Sequence, residues 1–461
     1  MTHRVTRRTF LKTTAAAATI TLLPMGLATT YAANNKVNLG IIGTGGMGQG
    51  NRQWFKRLAE DKNQPGGANN IVALCDVDRG RVEEATKDHP GAKTYVDYRK
   101  MLEEVKEIDA VMVSTPDHHH FPASMLAMSL GKGVDTEKPL THSVWEARQL
   151  GIAAAKYKVA TQMDNEGHAS EGLRKCVEWV RSGAIGKVHE VHIFTDRPIW
   201  PQGIKERPPT KPVPKNLEWD LWIGPAPYRD YHDHLHAFAW RGWWDFGTGA
   251  LGDMGCHFWD SAFWALTLGH PTRVEAEHEG NSVETGPIWS TVTYHFPARS
   301  DDLPPVKVTW WDGRKPRKDG NETKYDVPNL PPRPEELEPG REFPRNGSMF
   351  VGEKGKILVF DTSSPRLIPE EKMKAYKQPE PFLPRVSDHK VEWLEAVRGG
   401  KPASSNFTDY GGPLAEVVIL GNVAIRAGKT IEWDGRKLEA TNCPEANQYV
   451  RRAYRKGWDF S

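Results

Sequence analysis

The chain is poor in cysteine, in net charge and in long apolar runs. Four cysteines occur in 461 residues, Cys75, Cys176, Cys256 and Cys443. None forms a C-x-x-C pair, so neither a disulfide framework nor a cysteine zinc site is written into the spacing. They read as free and mostly buried. Lysine plus arginine number 61 against 59 acids, and a surface so nearly neutral lacks the basic footprint of a nucleic-acid binder. No stretch reaches the roughly 20 apolar residues that a spanning helix needs, and no internal repeat is visible. What remains is an ordinary folded composition, with 26% charged and 38% apolar residues. The length exceeds what one hydrophobic core usually serves, so two domains are expected.

Residues 1–33 hold Arg4, Arg7, Arg8 and Lys12 but no acid. The run Thr6-Arg7-Arg8-Thr9-Phe10-Leu11-Lys12 precedes a mild apolar stretch broken by Pro24 and Gly26, then the small residues Ala32 and Ala33. This order reads as a signal peptide of the twin-arginine type, with a periplasmic or exported destination and no stable membrane insertion after its removal. Its loss takes the formal charge from +2 to −2.

Residues 34–165 read as a dinucleotide-binding Rossmann domain. An apolar strand at 37–42 runs into Gly43-Thr44-Gly45-Gly46-Met47-Gly48 and then a helical pattern. Glycines at 43, 45 and 48 suit a tight turn, close approach to a pyrophosphate and helix–strand packing. The helix N-terminus offers N–H groups to the phosphates. The second strand, 71–75, ends in Asp76, placed to accept from the adenosine ribose hydroxyls, which favours NAD. Arg79 and Arg81 lie nearby, where the 2′-phosphate of NADP would be met, so NADP is the less favoured alternative. Strands and helices then alternate to residue 163, predicting a doubly wound parallel sheet. Its carboxyl ends carry Ser114-Thr115-Pro116-Asp117-His118-His119-His120 and Glu137-Lys138-Pro139. Of the three histidines, His120 is expected to face the cleft and the others solvent. Asn165, Glu166 and His168 follow the last Rossmann strand within reach of the same cleft.

The glycine loop, the Glu137-Lys138-Pro139 triplet and Gly249-Ala-Leu-Gly-Asp253-Met-Gly-Cys-His257 together resemble the Gfo/Idh/MocA oxidoreductases. The resemblance covers the chain from Val37 to Trp458. It implies a nicotinamide enzyme acting on sugars or polyols. It also implies a C-terminal α/β domain, here 166–461, whose open and largely antiparallel sheet carries the substrate and often an oligomer contact, so a homo-oligomer is expected. A related branch of redox glycosidases lacks the triplet lysine; this chain keeps Lys138, which favours a plain dehydrogenase.

In the second domain, strands are predicted at 187–196, 272–279, 289–296 and 306–311, a hairpin at 350–359, and helices at 169–182, 411–427 and 444–457. Residues 312–346 read as an irregular surface excursion. A helix at 249–266 places Asp253 and His257 side by side at i,i+4. The carboxylate is expected to orient the imidazole, which exchanges a proton with a substrate hydroxyl, while Lys138 stabilises negative charge on the same oxygen. Seventeen tryptophans are many for this length; most read as buried core, and the remainder suits a carbohydrate site. Trp200, Trp240, Trp243 and Trp244 flank that helix, and one or two are expected to stack on sugar. His232, within Tyr231-His-Asp-His-Leu-His236, reads as a substrate ligand or loop polar group rather than a metal ligand. Three functions follow: oxidation of a sugar or glycoside hydroxyl, with C3 the expected position; redox-assisted glycoside cleavage or epimerisation with tightly held NAD; or non-catalytic sugar binding.

Overall fold

The run Val37–Ile42 has no polar alternation, and it forms β1, buried on both faces at the heart of a parallel sheet. β2 (Asn69–Cys75), β3 (Lys93–Tyr95), β4 (Ala110–Val113), β5 (Gly133–Glu137) and β6 (Thr161–Asp164) complete six strands in the order β3-β2-β1-β4-β5-β6. The strand order reverses between β1 and β4, and the crevice at such a switch point is where open α/β sheets take ligands. Five helices cross between the strands: α1 (Met47–Glu60), α2 (Arg79–Asp88), α3 (Tyr98–Glu104), α4 (His120–Ser129) and α5 (Val144–Tyr157). Side-chain caps start α2, α3 and α5. The side chains of Asp78 and Asp97 accept from the first turns of α2 and α3. Ser143 and Glu146 form a reciprocal capping box on α5. The computed structural model describes residues 36–458, so the expected leader at 1–33 lies outside the described residues.

After α6 (Glu171–Arg181) the chain enters β7 (Val188–Phe194), a long excursion containing α7 (Trp219–Ile223), and then α8 (Gly249–Leu266). β8 (Arg273–Glu279), β9 (Trp289–Phe296), β10 (Val306–Asp319), β11 (Glu322–Pro328), β12 (Gly347–Gly352), β13 (Gly355–Phe360) and β14 (Pro365–Ile368) follow. Next come α9 (Glu370–Ala375), α10 (His389–Val397), α11 (Gly412–Ala427), β15 (Ile431–Asp434) and β16 (Glu439–Ala440). The second sheet has ten strands, β14-β13-β12-β7-β10-β9-β8-β15-β16, with β11 paired to β10. Only β7 with β10 is parallel; the sheet is mixed and largely antiparallel. α8 and α11 cover its face. Trp259 of α8 meets Tyr294 edge-on at 4.7 Å, and the Tyr294 hydroxyl donates to the Val418 carbonyl at 3.2 Å.

Two expectations are corrected. The segment from 312 is not irregular at its start: β10 continues to Asp319 and turns into β11, with Asp319 opposite Glu322. This ribbon stands away from the sheet with both faces exposed, so no apolar alternation marks it, and Pro316 sits at a register shift. The predicted helix at 444–457 stops as 3₁₀ turns at Tyr449. Residues 450–458 run as an irregular strap whose side chains are committed to other elements.

Candidate active site

The glycine loop is shaped by contacts no side chain would permit. Gly43 has φ +86°, and a Cβ there would stand 2.5 Å from the Ser114 carbonyl; one on Gly48 would stand 2.0 Å from the Gly43 carbonyl. The main-chain N–H groups of Gly45 and Gly46 have no acceptor among the described residues, and α1 has no acid in its first turn. A pyrophosphate fits such a cradle. Asp76 is pinned by the Thr44 N–H at 2.8 Å and the Asp78 N–H at 3.0 Å. The Arg81 side chain lies over Gly45.

A cleft of about 310 Å³ follows the carboxyl ends of the strands. Of the expected cofactor residues, Gly43, Gly45, Gly46, Met47, Asp76, Ser114, Thr115, Pro116, Glu137 and Lys138 line it. Gly48 lies beneath the loop. His120 is also behind the wall, its ring nitrogens 2.8 Å from the carbonyls of Pro139 and Thr115. His119 lines the cleft in its place. Neither His118 nor His119 is solvated, contrary to expectation: both are buried and donate through Nε2 to the Trp222 carbonyl, at 2.9 and 3.1 Å. Their burial follows from the excursion carrying α7, which sequence periodicity does not place over them.

At the end of β5, Lys138 Nζ donates to the Asp253 carbonyl at 2.9 Å and stands 3.5 Å from its Oδ1. Arg241 Nε donates to the same Oδ1 at 2.9 Å. The Arg241 guanidinium lies 4.4 Å from the Trp240 ring centre, 4.8 Å from Phe238 and 5.9 Å from Trp200. Burial pulls the Asp253 carboxyl upward, but Lys138 and Arg241 outweigh it and hold the group below its ordinary value. The expected Asp253–His257 hydrogen bond is absent. Two cations take the carboxylate in preference to a neutral ring, and His257, one turn along α8 and half-buried, does not line the cleft and has no hydrogen-bond partner among the described residues. Burial and then Lys138 push His257 down to about 3, with Asp253 opposing.

Two acids in the wall are shifted the other way. Burial raises Asp117 to about 7, although the Thr248 hydroxyl donates to it at 2.7 Å. Burial and the neighbouring Asp164 raise Glu137 to about 8, while Asn51 donates to its Oε1 at 2.9 Å. Behind Glu137, fully buried Lys390 of α10 bridges Asp135 at 2.9 Å and Asp164 at 2.6 Å.

The expected substrate residues divide. Trp240 lines the cleft and Trp200 stands behind Arg241. Trp243 is fully buried, with the ring of His232 4.9 Å away, and Trp244 is buried with its indole N–H on Asn281; none of these three lines the cleft. His168 is also remote from it, held by Asp260 at 2.9 Å and stacked on Trp264 at 4.2 Å. Sequence reasoning passed over Arg241, Asp117, Phe238 and Trp458, all in the wall. Asp117 lies inside a motif already singled out; no local signal marks Arg241 or Trp458.

A glycine loop under a switch-point cleft, with a lysine at a strand end, defines a dinucleotide-binding oxidoreductase fold. Residues 37–165 match the Gfo/Idh/MocA "Oxidoreductase family, NAD-binding Rossmann fold", and residues 174–301 match its "Oxidoreductase family, C-terminal alpha/beta domain". The chain therefore carries both domains of the Gfo/Idh/MocA oxidoreductases. Inositol 2-dehydrogenase/D-chiro-inositol 3-dehydrogenase of Lacticaseibacillus casei is 33% identical over 152 residues, 32% of this chain and 42% of that one. A glycosyl hydrolase family 109 protein of Stenotrophomonas maltophilia (strain K279a) is 36% identical over 141 residues, 28% and 29% of the two chains. The matches thus span less than half of either curated relative. The WlbA dehydrogenase of Bordetella pertussis, solved with NADH and UDP-GlcNAcA, superposes with TM-score 0.57 at 16% identity, over 87% of this chain and 99% of that one. That likeness establishes the fold.

Proposed function

We propose that the chain oxidises a ring hydroxyl of a sugar or glycoside, with C3 the expected position, using NAD. The observation that carries this reading is the cluster of Lys138, Asp253 and Arg241 in the same cleft as the glycine loop. A substrate hydroxyl bound at Lys138 receives a hydrogen bond from Nζ, which stabilises negative charge on that oxygen as its proton leaves. His257, one turn along α8, is the proton acceptor of this reading: burial and Lys138 keep the ring neutral, and Asp253 opposes them in part. Bound nicotinamide would supply the hydride acceptor at its C4. NAD rather than NADP is supported by Arg79, committed to Glu218 at 2.5 Å, and by Arg81, folded onto Gly45 beside Asp78. A screen of sugars and glycosides for NADH absorbance tests the reading. Lys138→Ala and His257→Ala should sharply lower turnover with NAD still bound, and undiminished turnover would reject the assignment.

A redox-neutral glycosidase or epimerase is the second reading, supported by the similar stretch in the family 109 relative and by the enclosure of the cleft described below. Consumption of free NAD+ in step with substrate separates the two. We also propose export by the twin-arginine route, supported by Arg7-Arg8 and the following Phe10-Leu11-Lys12, and self-association through the open face of the second sheet. Among the described residues no helix is long and apolar enough to cross a membrane. Fractionation of cells and sedimentation of the purified protein test these two proposals.

A further inference from the structure

The cleft is roofed along the half that ends at Asp76, and the roof is stitched down by main-chain bonds. Arg79 N–H donates to the Asn216 carbonyl at 2.9 Å, and Glu218 N–H to the Val77 carbonyl at 2.9 Å. The Asn216 amide donates to Asp78 at 2.6 Å, and His236 Nε2 lies 3.2 Å from the same carboxylate. These bonds fix the excursion between β7 and α8 to the loop after β2. From the other side, the strap 450–458 crosses back onto the Rossmann domain. Arg452 donates to the His118 carbonyl at 2.6 Å and to Glu146 at 2.7 Å. Arg455 holds the Asp220 side chain at 2.5 Å and the Gly224 carbonyl at 2.9 Å, joining the strap to the roof. Trp458 then closes the wall. Its ring meets His119 at 5.3 Å and Tyr98 at 6.2 Å, both edge-on, with the Arg99 guanidinium 4.3 Å from its centre.

A strap without regular structure would fray unless its side chains were fixed, and here they are fixed to both walls of one cleft. We propose that Trp458 is a cofactor-retaining residue. It latches the roof at the adenosine end, so that NAD leaves slowly compared with substrate and product. The proposal rests on the NAD-binding reading of the cleft and deepens it, because a retained cofactor suits a reaction in which the hydride goes out and returns. The retaining group is aromatic, and the surface it offers the cofactor is that of a stacking or edge contact within an apolar wall.

The test uses full-length protein loaded with labelled NAD and diluted into excess unlabelled NAD, with bound label followed by filtration. Trp458→Ala should release label about tenfold faster than the parent, the scale of one lost aromatic contact. Trp458→Phe should restore retention, and Arg455→Ala, which frees the strap without touching the ring, should also accelerate release. Thermal midpoints of the NAD-free proteins identify any variant that is merely unfolded, and the remaining variants then decide the matter. Release from Trp458→Ala and Arg455→Ala at the parental rate overturns the latch but leaves the cofactor reading intact. A parent protein that takes up no NAD overturns both.

Discussion

Lys138 and Asp253, 115 residues apart in sequence, meet twice: the ammonium donates to the Asp253 carbonyl at 2.9 Å and faces its carboxylate at 3.5 Å. The contact joins the end of a Rossmann strand to the first turns of α8. It fixes the lysine without neutralising its donors, because a third direction from Nζ remains open to the cleft. Removing the side chain as Lys138→Ala should lower kcat by about 10²–10³, the loss expected of one preorganised charge stabiliser. NAD titration should be little changed, since the glycine loop and Asp76 are untouched.

Asp253 serves two cations, and Arg241 is the one the sequence did not advertise. Substitution Arg241→Gln removes a charge that holds the Asp253 carboxyl low and frees that carboxylate to pair fully with Lys138. Turnover should fall about tenfold or more, with the acid limb of the pH–rate profile moved upward as Asp253 becomes easier to protonate. A profile unchanged from the parent would show that Arg241 is only a packing element.

Stability should carry the signature of Asp117. Its carboxyl ionises near 4 in an unfolded chain but at about 7 in the fold, chiefly through burial. The fold therefore binds the extra proton between those values. The corresponding stability is fully present below about pH 4 and is lost as pH rises through about 7. Asp117→Asn should be relatively more stable as pH rises across that window, with a constant difference above it; thermal midpoints at stepped pH values measure this.

Two neighbouring tryptophans should behave differently. Trp240 lines the cleft while its ring is buried in the cluster that also holds Trp243, so Trp240→Ala should raise KM for a sugar three- to tenfold, about 1 kcal/mol of stacking, and lower the melting temperature as well. Trp243 is fully buried, so Trp243→Ala should cost about 3–5 kcal/mol of stability. Steady-state kinetics and denaturant titration distinguish them.

Among the described residues, Lys390 is the cation that pairs with both Asp135 and Asp164. Lys390→Met leaves two buried carboxylates uncompensated, and a loss of about 3–5 kcal/mol is expected. Asp135→Asn in the same chain should recover part of it. Denaturant midpoints of the single and double variants check the coupling.

The sequence by itself determined the Rossmann order, because β1, β2 and β4 are short apolar runs and the glycine loop, Asp78, Asp97 and Ser143 mark helix starts locally, signals that need no distant partner. It likewise marked the helix of Asp253 and His257 and the triplet ending β5. Tertiary structure decided which polar groups meet. Asp253 binds Arg241 and Lys138 rather than His257, as a carboxylate is drawn to the nearest full charges and their positions depend on how β5, α8 and the 240s loop pack. It also decided that His118, His119, Trp243 and His232 are interior, and that residues 450–458 form a strap. Burial is a property of what lies on top: Trp222, which covers His118 and His119, is 104 and 103 positions away, and His232 and Trp243 bury each other within a loop that has no periodicity.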